Sequence, residues 1–290
     1  IAKVPSLSDL YEKLEEKEEN INEQISESID DLMVLKDEID NMELDILKTE
    51  DKLEWEEEQR VKEIMEEAKN ELKKMKNISD AIENLIEQSE KHELFNPDLM
   101  EKFKELSNLL KNIIPQNLLD NLNTAQSSLE EMDLQSLQEA LENMSNNISE
   151  IESELDRYID IFKRLQAEQK LTELKNRLEK LVQQKDKLDR DIESFDNTSD
   201  KKRIWQEELR GLEELANINN EIQEASDLTK PFSPKSSIRL DDLKNSNEFN
   251  LASKNIETTI ADLKNNNIKS ARSSSQSSLN NLNNIQKELA

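Results

Sequence analysis

Cysteine is absent, and histidine occurs once, at His92. Disulfides, thiolate chemistry and the usual Cys/His zinc sites are therefore out of reach. A catalytic triad has no customary base, and the Glu-x-x-His pairs of ferritin-like metal sites do not occur. There is one glycine in 290 residues, Gly211. A single glycine cannot punctuate a Rossmann fold, barrel or sandwich, and it supplies no glycine-rich phosphate loop. Aromatic residues are 3% of the chain, and valine is scarce beside leucine and isoleucine, so sheet-filling residues are few. No apolar run approaches the roughly 20 residues that span a bilayer as a helix.

Positive charge is also short, with 39 Lys and Arg against 66 Asp and Glu, for a net charge of −27. Such a surface repels phosphate backbones and anionic lipid, which sets aside nucleic acid and direct membrane binding as partners. The acid is unevenly spread: residues 1–92 carry 13 basic and 29 acidic side chains, and residues 229–290 carry nine and six. Low hydrophobicity with high charge borders on the composition of disordered chains. The regular placement of the apolar residues opposes that reading.

Ser6, following Pro5, suits a helix N-cap, with Asp9 favourable in the first turn. Alternating steps of four and three then pass through Leu7, Tyr11, Leu14, Glu18, Ile21, Ile25, Ser28, Leu32, Leu35, Ile39, Met42, Ile46, Thr49 and Leu53, apolar at eleven of fourteen positions. This spacing predicts a left-handed coiled-coil seam. Its interaction residues are Leu7, Tyr11, Leu14, Ile21, Ile25, Leu32, Leu35, Ile39, Met42, Ile46 and Leu53. The phase slips around Trp55, and a second stripe continues from Val61 to Ser89. As one helix the stretch would reach about 120 Å; periodicity leaves open a fold-back near Asp51 to Glu58.

The expected fold class is all-α: long coiled-coil helices flanking a small bundle of short helices, with a C-terminal helical hairpin. Residues 1–92 form the long heptad segment. Residues 93–145 form a short-helix bundle, opened by Asn96–Pro97 and containing a third helix, capped by Asp133, through Met144. Residues 146–228 are again coiled-coil helices, with one slip near Glu168 and an apolar stripe through Leu209, Leu212, Leu215, Ile218 and Ile222. Pro231, Ser233 and Pro234 mark a linker over 229–239, and residues 240–290 form a Ser- and Asn-rich αα-hairpin turning at Asn265 to Asn267.

Acidic pairs are inevitable in so acidic a chain and say little about hydrolysis. His92 reads as a helix-end residue, and Glu54, Glu56, Glu57 and Glu58 lack the order of a calcium loop. No catalytic, cofactor-binding or metal-binding residue is assigned, no cofactor is expected, and the chain is not read as an enzyme. The seams point to a structural or scaffolding segment that associates with a protein partner or with itself. The alternatives are a self-contained monomeric helical spacer or stalk and, far behind, a carboxylate-dependent enzyme.

Four stretches resemble uncharacterised large, membrane-anchored, coiled-coil-rich proteins of Bacteroidota and related bacteria. They are Val4–Pro5–Ser6–Leu7–Ser8–Asp9–Leu10–Tyr11, Leu94–Phe95–Asn96–Pro97–Asp98–Leu99, Lys163–Arg164–Leu165–Gln166–Ala167–Glu168–Gln169–Lys170–Leu171 and Asn265–Asn266–Asn267–Ile268–Lys269–Ser270–Ala271–Arg272. The resemblance implies a periplasmic or envelope-facing segment, with a membrane anchor upstream of the present sequence. It implies no catalytic residues.

Overall fold

The computed structural model describes residues 6–49, 52–113, 116–193 and 198–289. Among them lie nine helices: α1 (Leu7–Ile46), α2 (Trp55–Lys91), α3 (Pro97–Ile113), α4 (Gln116–Glu131), α5 (Leu134–Glu193), α6 (Thr198–Thr229), α7 (Pro234–Lys244), α8 (Asn247–Lys264) and α9 (Ile268–Leu289). They divide into two compact units, and the division falls inside α5, after Leu165. The first, residues 10–165, carries 18 basic and 43 acidic side chains, or −25. The second, residues 166–290 with the residues up to Asp9, carries 21 and 23, or −2. We call them the acidic and the neutral unit.

α1, whose residues from Leu10 onward belong to the acidic unit, opens on the expected cap. Ser6 N–H donates to the Asp9 carboxylate at 2.7 Å, and Asp9 N–H donates to Ser6 Oγ at 3.1 Å, so two otherwise orphaned donors are satisfied reciprocally. The helix stops at Ile46. Thr49 Oγ1 caps the Asp45 carbonyl, and α2 restarts with the Glu57 side chain accepting Glu54 N–H at 2.8 Å. Arg60 then pairs with Asp45, Lys74 with Asp31, Lys17 with Asn84, and Tyr11 Oη donates to the Leu94 carbonyl. As the α1 number falls from 45 to 11 its partner rises from 60 to 94, so α1 and α2 run antiparallel.

The expected architecture of long coiled-coil helices flanking a small bundle is thereby corrected, and of the two courses that periodicity left open the chain takes the fold-back. The same seam that was read as coiled coil folds back against its own chain. α3 returns along α2 through Lys104–Glu90 and Lys111–Glu83. Phe103 on α3 stacks on Phe95 with centroids 4.7 Å apart and meets Phe162 of α5 edge-on at 6.2 Å, geometries that aromatic quadrupoles favour. Ser145 Oγ on α5 reaches Asp40 on α1 at 2.5 Å. Each unit is a bundle around its own core, rather than long helices flanking a knot of short ones.

Two boundaries also move. The helix expected to end at Met144 is the beginning of the 60-residue α5. Its buried Leu137, Leu141, Met144, Ile148, Ile151, Leu155, Tyr158 and Phe162 keep alternating steps of four and three without interruption. The expected linker 229–239 is a turn: α6 runs to Thr229 and α7 begins at Pro234, where proline's missing N–H costs nothing. Ser226 Oγ, bonded to the Ser237 carbonyl at 3.1 Å and lying 2.8 Å from its hydroxyl, ties the two helices together.

In the neutral unit, α5 and α6 are antiparallel, since the partners of Lys170, Arg177, Lys185 and Asp191 are Glu221, Glu214, Glu208 and Arg203 in that order. Leu174, Leu178, Leu215, Ile218 and Ile222 share one core with Phe249, Ile256, Ile260, Leu282 and Ile285. The C-terminal hairpin is therefore a wall of this core. Buried Ala252, Ala271, Ser275 and Ser278 let α8 and α9 approach closely.

Three turns share one device. Glu93, Met132 and Asn266 adopt φ of 54°, 59° and 61°. The next residue's N–H bonds back to Ser89, Ser128 and Asp262 at 2.9, 2.9 and 2.8 Å. This is the Schellman closure, which satisfies carbonyls at a helix end and usually employs glycine at the left-handed position. With glycine spent elsewhere, only Asn266 is a residue that tolerates it readily.

Candidate functional site

Of the interaction-seam residues, Tyr11, Leu14, Ile21, Ile25, Leu32, Leu35, Ile39, Met42 and Ile46 are buried in the folded chain. Leu7 is partly buried at the wall of a cavity in the neutral unit, and Leu53 is partly buried beside Leu129, Leu134 and Leu137. The structure brings the nine together as core and gives none of them to the surface.

The surface offers different apolar groups. At the end of the acidic unit where α1 turns into α2, Leu44 and Leu47 are more than half exposed, Trp55 is 72% exposed and Met132 is 59% exposed. Met132, in the α4–α5 turn, belongs to the same end because it lines a small cavity of about 90 Å³ with Lys52, Leu53 and Glu58. Met33, also exposed, lies eleven residues before Leu44, which puts the two within about 20° of one another on α1. Exposed tryptophan beside large aliphatics is the usual composition of a contact surface.

Acid surrounds this patch. Glu43, Asp45, Glu54, Glu56, Glu57 and Glu58 flank it in sequence, and Asp45 is held below its ordinary value by hydrogen bonds from Lys48 and Arg60. Farther along the α1–α2 groove, an opening of about 590 Å³ is lined by Asp31, Glu38, Glu67 and Glu71 with Lys73 and Lys74. Burial and the neighbouring Glu38 push Glu67 upward. Burial also raises Glu71, which the Lys74 ammonium only partly offsets. Sequence reasoning missed the patch because Leu44 and Leu47 lie off the four-three line; Trp55 was visible only as a phase slip.

The neutral unit buries charge instead. On α5, Arg177 donates Nε to Glu214 at 2.7 Å, and Nη1 to Glu173 at 2.6 Å and Glu221 at 2.7 Å. Lys170 adds contacts to Glu221 at 3.0 Å and Glu224 at 3.2 Å. Burial pushes Glu221 up, but the hydrogen bonds from Arg177 and Lys170 outweigh it and hold the carboxyl below its ordinary range. Lys185 and Glu208 pair at 2.5 Å with side chains 3% and 1% exposed. There burial dominates, lowering Lys185 and raising Glu208 despite the pairing. The signal was legible as Lys185 interrupting an apolar seam. On α6 the expected stripe holds at Leu215, Ile218 and Ile222 and fails at Leu209, which is exposed; the buried line reaches back through Glu208 and Ile204 instead.

His92 is the exposed C-cap of α2, its N–H bonded to the Gln88 carbonyl. Among the described residues no group of three or more His, Cys, Asp or Glu is arranged to hold a metal ion. No helix among them is long and apolar enough to cross a membrane. Compared with known proteins, the chain matches no protein-family model, no curated protein and no solved structure.

Proposed function

We propose that this chain is a non-catalytic, protein-binding helical module whose acidic unit docks a basic partner segment with an apolar face. The observation that carries this reading is the cluster of Leu44, Leu47, Trp55 and Met132 exposed at one end of a unit that bears −25. Apolar anchors supply contact area, and a surrounding field of one sign selects partners of the other and speeds their encounter. The same field opposes self-association through this end, because two copies would bring like charges together. Placement at the cell envelope rests on the sequence resemblance. Reading the gene upstream of Ile1 tests it, with a membrane-spanning segment as the expected result.

A Lys/Leu amphipathic peptide serves as the probe for docking. Calorimetry on the full chain is expected to show saturable binding that weakens with salt. The double substitution Leu47→Ser/Trp55→Ser removes exposed side chains only, so helicity is retained while affinity falls at least tenfold. Binding that ignores this substitution, or a preference for an acidic peptide with the same apolar face, refutes the proposal.

A further inference from the structure

At the same end of the acidic unit as the exposed patch, four leucines line a cavity of about 90 Å³. They are Leu53 just before α2, Leu129 on α4, and Leu134 and Leu137 on α5. The volume fits one side chain of limited size. An apolar cavity of about 150 Å³ accepts benzene, so this one has room for an aliphatic group and none for an aromatic ring.

Met132 forms its mouth. The side chain lines the cavity and is nevertheless 59% exposed. Its backbone holds a φ of 59°, the left-handed position where glycine or asparagine is usual. An exposed apolar side chain on such a backbone serves folding poorly on both counts, and backbone outliers gather at sites of contact. Acid surrounds the mouth in sequence: Glu131 and Asp133 flank Met132, and Glu54, Glu56 and Glu57 follow Leu53. Among the described residues, Lys52 is the one cation that lines the cavity, and Glu58 lines it too.

Resting on the docking proposed above, we infer that this cavity is the anchor socket of that interface. It receives one Leu, Ile or Met side chain of the partner, flanked there by Lys or Arg. Binding energy concentrates in single anchors that fill desolvated pockets, and the acidic mouth selects the basic flanks. The flexible thioether of Met132 adapts to the entering chain. A second copy is a poor occupant, because the unit that would approach bears −25 itself.

The Lys/Leu amphipathic peptide is the probe, with each of its leucines replaced in turn by Ala, in calorimetry on the full chain. One position is expected to lose at least about tenfold in affinity, as complete burial of one leucine side chain implies. The other positions should lose less than about threefold. Trp at the anchor position, too large for the cavity, should lose as much as Ala. Methyl shifts on binding should centre on Leu53, Leu129, Leu134 and Leu137. Met132→Gly removes an exposed side chain from a conformation that glycine adopts freely, so helicity stays constant while affinity falls at least about fivefold. Losses spread evenly over the peptide's leucines, tolerance of Trp at the anchor, unmoved leucine methyls, or a Met132→Gly variant that binds as the parent does would each overturn the socket and leave the docking reading standing. A peptide that does not bind at all defeats the docking reading and the socket with it. The same methyl shifts appearing with rising protein concentration and no peptide assign the cavity to a second copy, which also overturns the inference.

Discussion

Lys185 and Glu208 form a buried pair whose removal should cost far more in halves than as a whole. Replacing Lys185 with Met leaves the Glu208 carboxyl among Leu181, Leu188 and Ile204 with its cation gone. The carboxyl can escape by taking up a proton, which limits the penalty. From an ordinary value of 4.5, holding it neutral at pH 7 costs about 3 kcal/mol at about 1.4 kcal/mol per pH unit. Glu208→Leu strands Lys185, and from 10.5 the corresponding ceiling is about 5 kcal/mol. The two penalties move oppositely with pH. A carboxyl raised by burial loses stability as pH rises above its unfolded value, so the Lys185→Met penalty shrinks toward pH 4.5. A lowered lysine loses stability as pH falls below 10.5, so the Glu208→Leu penalty shrinks on the alkaline side. The double variant Lys185→Met/Glu208→Leu fills the site with apolar atoms and should be neutral, or more stable by about 1–4 kcal/mol. Urea unfolding reads this out. In a Trp55→Phe background, Trp205, packed against the neutral unit's core, reports that unit alone. Single penalties under about 1 kcal/mol that simply add, or pH trends of the opposite sign, would show that solvent in the adjoining cavity already hydrates the pair, and the reasoning would fail.

Two further outcomes follow from the fold. Glu93 is exposed and holds the left-handed position after α2, so Glu93→Gly should raise stability by about 0.5–1 kcal/mol in urea unfolding; a loss of stability counts against the Schellman assignment. Leu32 is buried within the acidic unit, and Leu32→Asp should cost at least about 3 kcal/mol. Circular dichroism is expected to show helix lost on this substitution. A folded chain of halved mass in light scattering would instead restore the seam as an intermolecular contact.

Much of the local structure was legible. Ser6 with Asp9, Asn96 before Pro97, and Asp133 before α5 are caps whose side chains accept the expected N–H groups. The C-terminal turn at Asn265 to Asn267 was also legible, because asparagine tolerates the left-handed conformation. The cut at residue 145 was not justified by any breaker: Leu137, Leu141, Met144 and Ile148 already keep the four-three phase. On α6 a preference for leucine over phase selected Leu209. Counting back from Ile218 and Leu215 lands on Gly211 and Glu208, a glycine and a charge that hydrophobicity alone rejects. The buried Glu208 and the small cavity-wall residue Gly211 therefore sat where the apolar pattern was broken.

The partner of the leading seam was the part that sequence could not supply. A four-three line states only that one face of a helix must be covered, and a second chain or a returning segment buries the same Ile25 and Leu35. What decided it lies at the end of α1 and the start of α2. Its signals are Thr49, which bonds back to the Asp45 carbonyl, and Glu54 with Glu57, which start a new helix. Both are polar and local, and neither registers in a count of apolar positions. Once α2 returns along α1, the seam is consumed, and the residues left to meet a partner are those the heptad excluded: Leu44, Leu47 and Trp55. In a chain this acidic, exposed apolar groups there have no interior role to account for them. On the function proposed above, their contact area and the charge around them select a basic, apolar-faced partner, where the heptad alone selected none.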